Sequence, residues 1–260
     1  MNSRKFTLSV IIITKNEEDR IRKCLDSLAG LYDELIVFDS GSTDKTVRIV
    51  REYTEKIFIT DWPGYGKQKQ RALSEATCKW VLSIDADEAL TPGLKKEIIE
   101  TLNKAPEVVA FLLPWAVTNF GKMLYFGNSA RSVKRLFLRD QARFTDAIVH
   151  EKIQTKKGKI GRFKGRLTHY SIRNFEHYLM KNRKYAWLGS VKRFEAGKNG
   201  FGLPGAAFRA CWVFFRTYIL KRGFLDGSVG FLVACMYSQG AFNKYAGLWI
   251  LRREKKLRNK

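Results

Sequence analysis

The chain sets out its apolar positions in short unbroken runs rather than in alternation. Leu8-Ser9-Val10-Ile11-Ile12-Ile13 is rich in β-branched residues and has no polar face, which predicts a strand buried on both sides. Asn16-Glu17-Glu18 predicts the opening of a helix with Ile21, Leu25 and Leu28 at helical spacing and a stop at Gly30. Glu34-Leu35-Ile36-Val37-Phe38 repeats the strand pattern and ends in Asp39-Ser40-Gly41-Ser42-Thr43-Asp44, with a helix expected from Lys45 to Tyr53. A short strand over 56–59 and a helix over 67–76 lead to Trp80-Val81-Leu82-Ser83-Ile84, a fourth strand that runs directly into Asp85-Ala86-Asp87-Glu88. Strand and helix alternate throughout, the pattern of a mostly parallel α/β sheet with right-handed crossovers.

In such a sheet, ligands bind outside the C-terminal ends of the strands. Three ends converge there: Thr14-Lys15-Asn16-Glu17, the Asp39 loop, and Asp85 with Asp87. Two aspartates one residue apart suit a hard divalent cation, and Mg²⁺ is usually held by one or two carboxylates plus substrate phosphates. A nucleotide lying across the three ends would have its base held by Asp39 and its diphosphate bridged to Asp87 through a metal, while the Ser40-Gly41-Ser42 turn lets backbone amides approach it. Taken singly, the acids also read as a solvated loop and the Asp39 segment as an ordinary turn. Neither G-x-x-x-x-G-K-[ST] nor G-x-G-x-x-G follows the first strand, which argues against P-loop and dinucleotide-fingerprint sites.

Charge divides the chain. Of its 260 residues the first 100 hold 16 Lys and Arg against 17 Asp and Glu, whereas the remaining 160 hold 32 against 8. That asymmetry predicts chemistry in the first part and attachment to something anionic in the second. From Gly205 to Leu220 the sequence is almost wholly apolar, with Arg209 and Arg216 expected to share one helical face with Thr217. A second apolar segment spans 229–242, and the chain ends in Arg252-Arg253-Glu254-Lys255-Lys256-Leu257-Arg258-Asn259-Lys260. Apolar helices bordered by Lys and Arg, with Trp212 and Trp249, fit an interfacial anchor on an anionic leaflet, or else a helical subdomain or homo-oligomer interface. No run reaches the roughly 18 charge-free apolar residues of a membrane span, and no signal peptide is visible, so a cytoplasmic chain is expected. Cys24, Cys78, Cys211 and Cys235 have no metal-ligand spacing and read as reduced thiols. A pI near 10 also raises a nucleic-acid-binding protein, but no binding motif accompanies it and nucleic acid is not expected as a partner.

Ser9-Val10-Ile11-Ile12-Ile13-Thr14-Lys15-Asn16-Glu17, Val37-Phe38-Asp39-Ser40-Gly41-Ser42-Thr43-Asp44-Lys45-Thr46 and Leu82-Ser83-Ile84-Asp85-Ala86-Asp87-Glu88, in that order, resemble the inverting, nucleotide-sugar-dependent glycosyltransferases of family 2, which have the GT-A fold. Later segments, Val149-His150-Glu151, Leu167-Thr168-His169-Tyr170-Ser171, Gly223-Phe224-Leu225-Asp226-Gly227 and Lys244-Tyr245-Ala246-Gly247-Leu248-Trp249, are similar to the subgroup that includes the β-1,4-glucosyltransferases of lipopolysaccharide inner-core assembly. The resemblance implies a GT-A domain over 1–175, with a nucleotide-sugar half to about 115 and an acceptor half over 116–175, followed by a basic, apolar helical region over 176–260 that associates with a membrane. It implies that Thr14 and Glu17 border the nucleotide, that Asp39 contacts the uracil, that Ser40 belongs to the nucleotide-sugar site, that Asp85 sits by the ribose, and that Asp87 holds Mg²⁺ or Mn²⁺, with Asp85 and His169 as further possible ligands. Lys69 matches a basic position facing the nucleotide, and Gln70 stands where relatives commonly have Asn.

Inversion at an anomeric carbon needs a carboxylate to take the acceptor's proton while a metal stabilises the leaving diphosphate. Between the fourth-strand acids and Glu176, beyond the helix that follows them, the carboxylates are Glu107, Asp140, Asp146 and Glu151. Glu151, in the family's later acidic motif, is the expected base and Asp146 the runner-up, with a salt bridge as the plain alternative for either. The expected reaction is transfer of a hexose, glucose, from a UDP-sugar to a lipid-linked glycan, a heptose of the lipopolysaccharide core, at the cytoplasmic face of the inner membrane. A transferase loading sugar onto a polyprenyl phosphate is the alternative.

Overall fold

The computed structural model describes residues 5–129, 131–146 and 151–258. The chain forms two compact units, Met1–Ala116 with Arg131–Tyr170, and Val117–Ala130 with Ser171–Lys260. The first unit opens with β1 (Leu8–Thr14), α1 (Ile21–Leu28), β2 (Glu34–Asp39), α2 (Thr46–Val50), β3 (Ile57–Ile59), α3 (Tyr65–Ser74) and β4 (Trp80–Asp85). It continues with β5 (Glu88–Leu90), α4 (Pro92–Asn103), β6 (Ala110–Asn119, which runs on into the second unit), and then, after β7 (Lys122–Leu124) of that unit, β8 (Ser132–Leu138), β9 (Ala142–Phe144), β10 (Ile153–Thr155), β11 (Ile160–Arg162) and β12 (Leu167–His169).

β3, β2, β1 and β4 lie side by side and parallel, as their unbroken apolar runs predict. Leu8, Val10 and Ile12 of β1 face one layer with Ile21, Leu25 and Leu28 of α1 and Leu94, Ile98 and Leu102 of α4. Ile11 and Ile13 face the other with Ala72 and Leu73 of α3. β8 then pairs antiparallel with β4, and β6 antiparallel with β8. Thr91 caps α4 by accepting from the Leu94 amide at 3.3 Å, with Pro92 at the first helical position.

The helix expected from Asn16 begins only at Ile21. Asn16 has φ 54°, and the amides of Asn16, Glu17 and Glu18 are claimed by Ser42 Oγ, Thr46 Oγ1 and Asp44 Oδ2 at 2.8, 2.8 and 3.2 Å. Side chains from the next strand's loop therefore replace the first helical turn. The helix expected over 45–53 is only the five residues of α2, because the chain leaves it in tight turns such as Tyr53 N to Val50 O. β5 and its pairing with β12 carry too little pattern to be foreseen at three residues each.

In the second unit, Val117–Asn119 at the far end of β6 pairs antiparallel with β7 through Phe120 and Gly121, both at positive φ, a two-residue hairpin turn. Most of the segment 114–128 is thus hairpin. The helices are α5 (Phe175–Glu195), α6 (Gly202–Phe215) and α7 (Gly227–Arg258). Buried Asp226, just ahead of α7, accepts from the Tyr125 and Phe126 amides at 3.1 and 3.0 Å, so the Gly223-Phe224-Leu225-Asp226-Gly227 segment is a clasp onto the hairpin. Gly230 makes the clasp possible, since a Cβ there would stand 2.1 Å from the Gly223 carbonyl oxygen. Arg209 and Arg216 do not share a face with Thr217: Thr217 directly follows Arg216, so the two point about 100° apart, and Thr217 is buried while Arg216 is exposed where α6 passes into one π-helical turn over Arg216–Leu220. No helix among the described residues is long and apolar enough to cross a membrane.

Glu34 cross-links the parallel sheet. Its carboxylate accepts from Ser9 Oγ on β1, from the Thr77 amide at 2.6 Å ahead of β4, and from Lys56 Nζ at 2.7 Å ahead of β3. Burial by itself would raise its pKa from 4.5, but the Lys56, Ser9 and Thr77 hydrogen bonds outweigh it and hold the group at about 2. A carboxylate depressed in the fold stabilises above its unfolded pKa and loses that contribution as pH falls. Glu34→Gln is expected to cost about 2 kcal/mol at neutral pH. In urea titrations the gap to the parent should close between pH 4.5 and about 2. A gap independent of pH would show that the lost stability does not come from the charge of the Glu34 carboxylate.

Candidate active site

The acids at the end of β4 meet residues from five other elements of the first unit. Beyond Asp85 the chain turns into β5, whose register with β12 sets Glu88 opposite His169. That pairing brings His169 Nε2 to 3.3 Å from Asp87 Oδ2. Trp115 of β6 stacks on the imidazole with centroids 4.7 Å apart and donates from Nε1 to Glu88 Oε1 at 2.9 Å. Arg20 joins the first strand's loop to the same corner: Nε donates to Glu17 Oε2 at 2.7 Å, and Nη1 lies 3.8 Å from Asp87 Oδ2.

Lys69, buried on α3, is the second focus. Its Nζ stands 2.7 Å from Asp85 Oδ1 and 2.6 Å from Glu151 Oε1. Arg135, buried on β8, pairs through Nη2 with Asp85 Oδ2 and with Glu88 Oε1, the latter at 2.6 Å. Burial works to raise the Asp85 carboxyl, but Arg135 and Lys69 together hold it below the usual carboxylate range. Glu88, fully buried, is pushed up by burial, with Arg135 opposing. Burial also raises Asp87 and lowers His169; their mutual hydrogen bond wins in both cases, leaving the acid low and the imidazole high.

Of the residues expected from sequence, Lys69, Asp85 and Glu151 form one contact chain, and Glu17, Asp87 and His169 another linked by Arg20. Asp146 is exposed. Val149 and His150 lie outside the described residues, so Glu151 alone represents that segment. Asp39 is buried and spends its carboxylate on its own turn, accepting from the amides of Gly41 and Ser42 at 2.9 and 2.8 Å and from Ser42 Oγ. Ser40 Oγ accepts from Gln68 Nε2 at 3.1 Å. Thr14 Oγ1 is buried at the end of β1 without a hydrogen-bond partner among the described residues. Gln70, in the place where relatives carry Asn, accepts from the Phe144 amide at 2.9 Å and so ties α3 to β9.

As a metal centre, the corner offers one carboxylate and one imidazole, Asp87 and His169, and no group of three ligating side chains among the described residues. That donor set fits Mg²⁺ or Mn²⁺ held mainly by phosphate oxygens and water, and does not fit a closed all-protein cage. Both oxygens of Asp85 are engaged by cations. Arg135, Glu88, Trp115 and Gln68 were not foreseen. Glu88 was visible as the last acid of its run, but Arg135 sits in a mixed basic and apolar strand with no period to single it out.

Residues 9–158 match the profile of Glycosyl transferase family 2. The chain is 32% identical to the lipopolysaccharide core biosynthesis glycosyltransferase LpsC of Rhizobium meliloti, over 93% of this chain and 94% of that protein. It is 31% identical to an uncharacterized glycosyltransferase of Rickettsia typhi, over 93% and 86% respectively. The crystal structure of S. aureus TarS 1-349 is similar over 96% of this chain and 92% of that one, with a TM-score of 0.47 and 16% identity. The profile spans more than half of the chain and contains the parallel β3-β2-β1-β4 sheet with all the acids of β4. The chain belongs to glycosyl transferase family 2 and has its GT-A fold.

Proposed function

We propose that this glycosyltransferase moves glucose from UDP-glucose, with inversion, onto a heptose of a phosphorylated lipid-linked glycan, the lipopolysaccharide inner core. The observation that carries the reading is the contact chain Asp85, Lys69, Glu151, which joins an acid at the donor end of β4 to a carboxylate 66 positions later in the sequence. Glu151 accepts the proton of the attacking hydroxyl. Lys69, oriented by Asp85, offers its charge to the diphosphate. Thr14 lines the nucleotide side, beside the turn that Asp39 orders. A divalent cation at Asp87 and His169 would supply charge stabilisation to the leaving diphosphate.

Similarity to LpsC along nearly its whole length supports a lipopolysaccharide core acceptor. The 32 basic against 8 acidic residues after position 100 complement a phosphorylated glycan at the cytoplasmic face of the inner membrane. In this reading residues 1–115 handle the donor, 116–175 the acceptor, and 176–260 the membrane.

Glu151→Gln is expected to lower transfer about a thousandfold while UDP-glucose affinity stays near that of the parent. Single-turnover transfer and calorimetric titration separate the two, and near-parental turnover removes Glu151 from the chemistry. Asp87→Asn should abolish the tightening of UDP binding by Mn²⁺, a change of about tenfold or more, with metal-free binding retained. If the metal dependence survives, Asp87 is not its ligand. A thermal-shift panel checks the class of partner: UDP-glucose with Mn²⁺ should raise Tm and duplex DNA or RNA should not.

A further inference from the structure

The helical unit turns its large side chains outward. On α6, Phe208, Trp212 and Phe215 fall four and three positions apart on one stripe and are 71%, 49% and 44% exposed, while Ala206 on the opposite side is fully buried. A helix that packs in water turns its apolar stripe toward the core. α6 does the reverse, burying alanine and presenting aromatic rings. Phe201, immediately before α6, is 73% exposed, and the Arg209 guanidinium lies 5.7 Å from its ring centroid.

Gly200 and Gly202, on either side of Phe201, line a cavity of about 690 Å³ completed by the end of α5 and the last turns of α7. Its walls carry Phe194 and Trp249 together with Arg252, Arg253, Lys255 and Lys256, and a single acid, Glu195. Arg252 shapes the cavity, donating to the Gly197 carbonyl at 2.9 Å and to Asn199 Oδ1 at 3.3 Å. Arg253 lies 5.3 Å from the Trp249 ring and Lys255 5.9 Å from that of Phe194, so their stems run along aromatic walls. Among the described residues no carboxylate forms an ion pair with any of these four cations. A concave site with cationic and aromatic walls beside the exposed Phe201, on a unit that also turns an aromatic stripe outward, has the two-part chemistry of an acidic lipid: phosphate next to acyl chain.

We propose that this cavity binds the phosphate headgroup of an anionic membrane lipid while Phe201, Phe208, Trp212 and Phe215 seat in the adjoining interface. The proposal gives the membrane placement suggested above a specific site, and it rests on the helical unit alone, so it stands or falls apart from the identity of donor and acceptor. The test is flotation of the full chain with vesicles of phosphatidylcholine, with and without phosphatidylglycerol, at constant ionic strength. Binding to the anionic vesicles should be at least about tenfold tighter, and Arg253→Glu with Lys255→Glu and Lys256→Glu should remove that preference. Phe208→Ser with Trp212→Ser should weaken binding to both vesicle types. Helicity by circular dichroism and UDP binding should be unchanged in both variants. Inorganic phosphate should not displace the protein. The proposal is overturned by equal affinity for neutral and anionic vesicles, by charge reversal without effect, or by displacement with inorganic phosphate, which marks a soluble-anion site. It is also overturned if the Phe208 and Trp212 changes dissolve a dimer in light scattering and leave flotation intact, because the stripe is then a contact between copies.

Discussion

The site is organised by the need to compensate the carboxylates that β4 and the turn beyond it deliver into a mostly buried corner. An ion taken from water costs several kcal/mol even after relaxation, and an acid left unpaired there would sooner protonate than stay charged. Arg135 answers Asp85 and Glu88 from β8, and Lys69 answers Asp85 from α3. Placing those two cations fixes much else. β8 must lie antiparallel against β4, and α3 must be pinned at its middle, which Gln68 does toward Ser40 and Thr60 and Gln70 toward the Phe144 amide. Because Lys69 still has a hydrogen to give, it reaches Glu151 as well. Glu151 is thus held by the same cation that meets Asp85 at the end of β4.

A second constraint binds the first two strand-end loops into one body. Ser42, Thr46 and Asp44 take the amides of Asn16, Glu17 and Glu18, and Asn16 Oδ1 accepts from the Thr43 amide at 2.8 Å in return. Asp39 bends the second loop from within. Side chains of both loops thus spend their oxygens on each other's backbone amides and hold the two turns in one conformation. A loop ordered before binding loses less entropy when it binds.

These two layers explain what sequence made visible. The four parallel strands were legible because burial on both faces writes itself as continuous apolar runs, and Asp85, Asp87 and the Asp39 turn were legible because they terminate those runs. The start of α1 was not, since its first turn is replaced by bonds to residues 26 to 29 positions away, and separation of that kind leaves no local period. Arg135 was hidden for the same reason: its importance comes from partners 47 and 50 positions upstream. In the helical unit, a spacing of seven places Arg209 and Arg216 along one stripe, but Thr217, directly after Arg216, turns to a different face and is buried.

The charge asymmetry along the chain acquires a physical meaning at this point. The first 100 residues are nearly neutral, and the cations they bring to the site, Arg20 and Lys69, are already opposed by acids within 4 Å. Their field is short-ranged, so at these strand ends an anion is attracted only at contact distance. The excess of basic residues beyond position 100 is largely unopposed and acts over the roughly 8–10 Å that salt allows. It draws anionic material toward the chain without choosing among its forms. Selectivity at the strand ends therefore has to come from geometry, and proximity from charge elsewhere in the chain. A uniform spread of the same charges would weaken both, because surplus cations beside the strand ends would compete with Lys69, His169 and Arg135 for Asp85, Asp87 and Glu88.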